Sequence, residues 1–210
     1  TAALSRRRWV PELHFVNHYH DSVGYISAIA ASIRDFWALH GNSERILFSF
    51  HGLPLRTLKK GDPYHCQCQK TARLVAESLN LDEGSWQISF QSRIGQAEWL
   101  RPYTDETIRN WGGEKASKID VVCPGFAVDC LETLEEIAIG YKSDFIAAGG
   151  GELRYIPALN ARDDHISFLS HLIEKNIAGW SEASPDWTLP ETTREMNQSL
   201  QRARAMGAKH

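Results

Sequence analysis

The sequence lacks any run near the roughly eighteen apolar residues of a spanning helix and has no signal-peptide pattern, so the expected compartment is the cytoplasm. It also lacks a C-x-x-C pair: Cys66, Cys68, Cys123 and Cys130 fit neither a zinc ribbon nor a thioredoxin-type motif, and read as free thiols. Missing too are G-x-G-x-x-G, G-x-x-x-x-G-K-[ST] and G-x-S-x-G, the defining chemistry of dinucleotide, P-loop and serine-hydrolase sites. Clustered positive charge is nearly absent, the lysines and arginines being scattered. The net charge is -3 and Arg6 to Arg8 is the one basic run, so a nucleic-acid partner is not expected.

What is present suits one good-sized globular domain with trimmings: 210 residues, 42% hydrophobic and 23% charged. The first twenty residues read as the continuation of a longer chain. They hold one extended candidate, Leu13 to Val16, and the histidines His14, His18 and His20. Alternation could put three imidazoles on one strand face, but Asn17 and Asp21 favour a turn and a surface cluster.

From Asp21, a candidate cap, the residues Val23, Ile26, Ile29, Ala30, Ile33 and Trp37 mark one helix face ending near Gly41. Short apolar runs then alternate with helical patterns. Strands are expected at Ile46 to Phe50, Trp86 to Phe90, Ile119 to Cys123 and Leu153 to Pro157. Helices are expected at about Tyr64 to Leu79, Thr104 to Trp111, in the acidic stretch after Asp129, and at Asp163 to Ile177. Such alternation predicts a three-layer, Rossmann-like α/β domain with a four-stranded parallel sheet. Gly149 to Gly151 follows a helix and precedes a strand, the reverse of a phosphate-cradling loop, and reads as helix-terminating turn chemistry. After Gly179 the chain turns polar, and a helix over about Pro190 to Met206 forms a C-terminal extension. The expected division is a lead-in over 1–20, a domain over 21–178 and a tail over 179–210.

The chemistry concentrates at three strand ends: His51 after the first, Gln91 to Tyr103 after the second, and Pro124 to Glu136 after the third. In open parallel sheets ligands bind beyond the carboxyl ends of the strands, where these groups would converge. In the acidic stretch, helical spacing puts Leu131, Leu134, Ala138 and Tyr141 on one side, expected to pack, and Asp129, Glu132 and Glu136 on the other. Asp129 with Glu132 three residues on is also a capping-box pattern, so a capped, solvated helix face and a metal or proton site both remain open.

Three separated motifs, in this order, resemble one family. They are Phe48-Ser49-Phe50-His51-Gly52-Leu53-Pro54; then Phe90-Gln91-Ser92-Arg93-Ile94-Gly95 with Trp99 to Glu106; then Cys123-Pro124-Gly125-Phe126 with Asp129-Cys130-Leu131-Glu132-Thr133-Leu134-Glu135-Glu136. Together they resemble ferrochelatase, the terminal enzyme of heme synthesis, over about residues 10 to 178. Cys130 stands where animal members commonly carry a second histidine, which gives the resemblance a bacterial flavour. The resemblance implies the carboxyl-terminal half of a two-domain enzyme, whose partner is the amino-terminal domain. The implied reaction inserts ferrous iron, as substrate, into protoporphyrin IX. By the same resemblance His51 and Glu132 are the catalytic and metal-binding pair, and Asp129 and Glu136 relay protons or metal. Trp99 and Phe126 would line the macrocycle, exposed on an apolar face, and Gln91 and Arg93 would hold the loop or meet a propionate. No cofactor is implied, and the cysteine spacings fit no iron-sulfur cluster. Peripheral membrane association stays open, as do a cobalt or nickel chelatase and a non-catalytic porphyrin carrier.

Overall fold

The computed structural model describes residues 3–209; Thr1, Ala2 and His210, the outermost positions of the expected lead-in and tail, lie outside the described residues. Strands β1 (Arg45–His51), β2 (Trp86–Gln91), β3 (Lys118–Val122) and β4 (Glu152–Ile156) form one sheet in the order β2-β1-β3-β4, and every pairing is parallel. The helices are α1 (Val23–His40), α2 (Leu55–Lys59), α3 (Tyr64–Leu79), α4 (Thr104–Gly113), α5 (Leu131–Leu134), α6 (Lys142–Ala147), α7 (Asp163–Asn176) and α8 (Leu189–Ala205), with a π-helical segment, Glu136–Tyr141, between α5 and α6.

Alternation along the strands builds the layers. Leu47, Ile119, Val121 and Leu153 point to one face and form a core with Ile108 and Trp111 of α4, Ile137, and Phe145 of α6. The intervening Ile46, Phe48 and Phe50 are equally buried, and α1 packs on α3. Both faces are covered, which is why β1 is buried on both sides and apolar apart from Ser49 between Ile46 and Phe50. Asp120 on β3 is wholly buried, and Arg154 Nε and Nη2 (2.7 and 2.9 Å) and Trp37 Nε1 (2.6 Å) donate to it, so the sheet carries no unpaired core charge.

The order of the strands creates the crevice. From β1 the chain moves to β2 on one side and later returns to place β3 on the other, so the direction of winding reverses between β1 and β3. At such a switch point the loops leaving the carboxyl ends part and open a cleft.

Several expectations need correction. Leu13 to Val16 forms no strand, and Val23 is 83% exposed, so the buried face of α1 begins at Tyr25. Helix α2 was hidden in what reads as a polar loop. The glycine run is more than a turn: Gly149 has φ +105°, but a Cβ on Gly151 would sit 2.2 Å from the Ser117 carbonyl oxygen and one on Gly150 within 2.6 Å of the Phe145 ring.

The chain divides into two units, Asn17–Phe168, which holds the sheet, and a second formed by the residues up to Val16 with those from Leu169 on. The second contains most of α7, a 3-10 turn at Ser181–Ala183 and α8, whose Leu189, Met196 and Leu200 are exposed. Among the described residues no helix is long and apolar enough to cross a membrane.

Candidate active site

His51 is the last residue of β1 and pairs in register with Gln91, the last of β2. Its Nδ1 lies 2.7 Å from the Gly52 carbonyl oxygen. A carbonyl only accepts, so Nδ1 carries the proton and the Nε2 lone pair is left for a proton or a metal. Tyr64 donates its hydroxyl to the His51 carbonyl at 2.9 Å, which fixes the strand end. The Phe126 ring lies 6.3 Å from the imidazole, centroid to centroid, and is half-buried.

Gly52 has no room for a side chain: a Cβ there would come within 2.8 Å of the Gln91 carbonyl and 3.1 Å of the Trp99 ring. Trp99 packs onto that glycine and is 9% exposed, and its indole Nε1 is buried without a hydrogen-bond partner. The expected exposed wall residue is therefore a core residue that shapes the His51 turn from beneath.

Gln91 is also buried rather than open to a ligand. Its Oε1 accepts from Ser49 Oγ (2.7 Å) and Cys123 Sγ (3.4 Å), and its Nε2 donates to the Glu132 carbonyl (2.6 Å) and reaches Glu136 Oε2 (3.3 Å). The amide thus ties both central strands to the acidic helix. Arg93 is engaged as well: it pairs with Asp105 at 2.7 Å and stacks on Tyr103, its guanidinium carbon 3.8 Å from the ring centroid. Gln91 is closed off from a propionate and holds the loop, whereas Arg93 holds the loop with its side chain still 36% exposed.

The acidic helix differs from the expected single amphipathic rod. Cys130 is its N-cap, and the capping box is closed by Thr133, whose Oγ1 accepts the Cys130 N–H at 3.0 Å; Asp129 and Glu132 do not form it. After one α-helical turn the ladder widens: the Gly140 N–H bonds to the Glu135 carbonyl, five residues back, at 2.8 Å. Such π segments shift the register and are common at functional sites. The face that packs is also not the one expected. Leu131 and Leu134 are 74% and 49% exposed, whereas Thr133 and Ile137 are buried.

Glu132 projects from the first turn of α5. The Cys130 thiol, its own backbone N–H and the nearby His51 hold its carboxyl below the ordinary range, and burial pushes the Cys130 thiol up. His51 and Glu132, the expected pair, are thus brought together at one edge of the sheet. Glu132, Glu135, Glu136 and Asp144 line an open groove of about 430 Å³ along the π segment, with Leu131, Gly140 and Tyr141.

The two expected relay carboxylates are built differently from Glu132. Glu136 accepts from Ser92 N (2.8 Å), Ser92 Oγ (2.5 Å) and Tyr141 Oη (2.6 Å), and so closes the loop after β2 onto the helix. Asp129 precedes the helix and is half-buried; Tyr155 Oη (2.7 Å), Thr133 Oγ1 (3.2 Å), Ala158 N (3.2 Å) and Asn160 Nδ2 (2.7 Å) all donate to it. Burial alone would raise its carboxyl, but those donors outweigh burial and hold it below the ordinary range. Sequence reasoning missed the roles of all five side-chain partners: Ser92 and Thr133 lie within the three motifs, where no part falls to them, and Tyr141, Tyr155 and Asn160 lie outside them. All four cysteines are free, and burial pushes the thiols of Cys68, to about 12, and Cys123 upward.

Comparison with known proteins bears on this arrangement. The family model described as Ferrochelatase matches residues 1–177. The curated ferrochelatase of Nitrosococcus oceani is 56% identical over 206 residues, covering 98% of this chain and 56% of that protein. The ferrochelatase of Thioalkalivibrio sulfidiphilus is 52% identical (97% of this chain, 55% of that protein), and that of Nitrosomonas europaea 48% (98% and 55%). The chain spans little more than half the length of these relatives.

Proposed function

The chain belongs to the ferrochelatase family, and from that premise we propose that the complete protein inserts ferrous iron into protoporphyrin IX to give protoheme. The balance is simple: the metal gains four pyrrole nitrogens as ligands while two pyrrole N–H protons leave, with no change of oxidation state. A site for this reaction needs a base, an anionic stop for the cation and a surface for a flat ring.

The observation that carries the reading is the His51 and Glu132 pair at the switch point. His51 has Nδ1 committed to Gly52, so Nε2 is the atom that takes a pyrrole proton or holds the arriving metal. Glu132, kept ionised beside it, takes the second proton or hands the metal inward. The carboxylates of the adjoining groove supply a negative field along which a hydrated cation would approach and protons leave. Phe126, beside His51, offers its ring to the macrocycle. No resident cluster enters the proposal, since the spacing of the four cysteines fits none.

The test is metal insertion by the complete protein, followed by the change in porphyrin absorbance with ferrous iron, and with zinc, cobalt and nickel as comparisons. Turnover with iron is expected. Tight porphyrin binding without turnover would make the protein a carrier, and turnover confined to cobalt or nickel would make it a different chelatase.

A further inference from the structure

Asn160 lies in the connection from β4 to α7, away from the acidic helix in sequence, yet it holds the segment leading into that helix. Its backbone φ of +48° is left-handed, a conformation that asparagine tolerates better than most residues. The turn aims every polar group at a partner. The Asn160 N–H donates to the Ala127 carbonyl at 3.0 Å, and Oδ1 accepts the Asp129 N–H at 2.9 Å. Its Nδ2 donates to Asp129 Oδ2 at 2.7 Å and to the Ala158 carbonyl at 3.0 Å. His165, buried, donates from Nδ1 to the Asn160 carbonyl at 2.9 Å.

Asp129 passes the constraint on. Its Oδ1 accepts from Thr133 Oγ1, and the same hydroxyl accepts the Cys130 N–H that starts the helix. Glu132 lies inside that short span, between the capping residue and Thr133. A carboxylate with donors already on both oxygens is built to hold still, and a proton carrier needs an oxygen free to change partners.

We propose that Asn160 is a positioning residue for metal insertion, which pins Asp129 and through it the first turn of α5, and that Asp129 serves as an anchor for Glu132 and not as a carrier of protons. The inference rests on the chelatase reading given above. The same geometry explains why Asp129 and Glu132, though three residues apart, have opposite surroundings, one enclosed by donors and the other facing the groove.

The test uses the complete protein and an exchange of side chains. Asn160→Asp alone sets two carboxylates against each other. It should lower kcat by about tenfold or more, with the porphyrin KM within about twofold, as outer-shell changes at metal sites do. Combining Asn160→Asp with Asp129→Asn restores a donor facing an acceptor between the two side chains and keeps an oxygen at 129 for Thr133, Tyr155 and Ala158, while the Ala158 carbonyl loses its donor from position 160. Relative to Asn160→Asp alone, the pair should recover most of the lost kcat and, short of the share owed to the Ala158 carbonyl, the melting temperature with it. An amide at position 129 cannot carry a proton, so recovery separates anchoring from relay. A double variant that regains its melting temperature but stays slow would overturn the proposal, because Asp129 would then be needed for its proton. Asn160→Gly keeps the left-handed backbone and removes only the amide; unchanged kcat in that variant would equally overturn it. A wild-type protein that inserts no metal would instead sink the functional reading, and this inference with it.

Discussion

The side-chain amide of Gln91 donates to the backbone carbonyl of Glu132 at 2.6 Å, across from the strand end that carries His51. One buried amide therefore sets the distance between the two halves of the proposed catalytic pair. Removing it leaves the Glu132 carbonyl without this donor and the Ser49 hydroxyl with Thr104 Oγ1, 2.9 Å away, in place of Gln91.

Gln91→Ala should destabilise the fold by about 1–3 kcal/mol, the usual penalty for buried polar groups left unpaired. It should also lower kcat for insertion by about tenfold while leaving the porphyrin KM within about twofold. Steady-state kinetics with a thermal melt decide the matter. A rise in KM at constant kcat would return Gln91 to the macrocycle.

Trp99 and Phe126 should separate in the same pair of measurements. Trp99→Ala empties a packed site over Gly52 and should cost about 3–5 kcal/mol. Phe126→Ala, at a half-buried ring beside His51, should change stability by no more than about 1–2 kcal/mol and weaken porphyrin binding. Equal stability losses would mean that Phe126 is core too.

Acid should expose the anchoring carboxylate. Asp129 has its carboxyl depressed below the ordinary 3.8, so the stability it adds is present above that value and is lost as pH falls below it toward the depressed folded value. Asp129→Asn should lower the melting temperature at neutral pH and flatten its fall below about pH 4. Parallel wild-type and variant curves through the acid limb would show that Asp129 is not held as described.

The 210 residues alone should melt cooperatively yet insert no measurable metal. They span little more than half the length of their relatives, and a flat ring held from one side forfeits apolar burial at about 25 cal/mol per Å². Turnover near that of the complete protein would show that this portion suffices.

Much of this was legible in the sequence. Apolar runs alternating with helical patterns gave all four strands, and motifs at strand ends pointed to one edge of the sheet, because period and turn chemistry are local properties. What was not legible depends on backbone geometry and long-range donors. A helical wheel groups Thr133 with Ile137, four residues on, as readily as Leu131 with Leu134, and the contacts of the folded chain decide that the first pair faces the core. Asp129 and Glu132 look alike in a motif, and the arrival of Tyr155 from the neighbouring strand β4 and of Ala158 and Asn160 from the turn after it makes one an anchor. Resemblance, and the preference of flat apolar ligands for aromatic surfaces, assign Trp99 to the macrocycle wall, whereas the bare surface of Gly52 beside it supplies the packing.

The central claim is that His51 and Glu132 carry the chemistry while other residues hold the ring. The most direct measurement is iron insertion into protoporphyrin by the complete protein bearing His51→Ala or Glu132→Gln, with porphyrin affinity measured on the same samples by fluorescence quenching. The account predicts that each variant loses most of its turnover and keeps its porphyrin affinity within about threefold. Turnover that survives either change, or affinity that falls in step with rate, would contradict it.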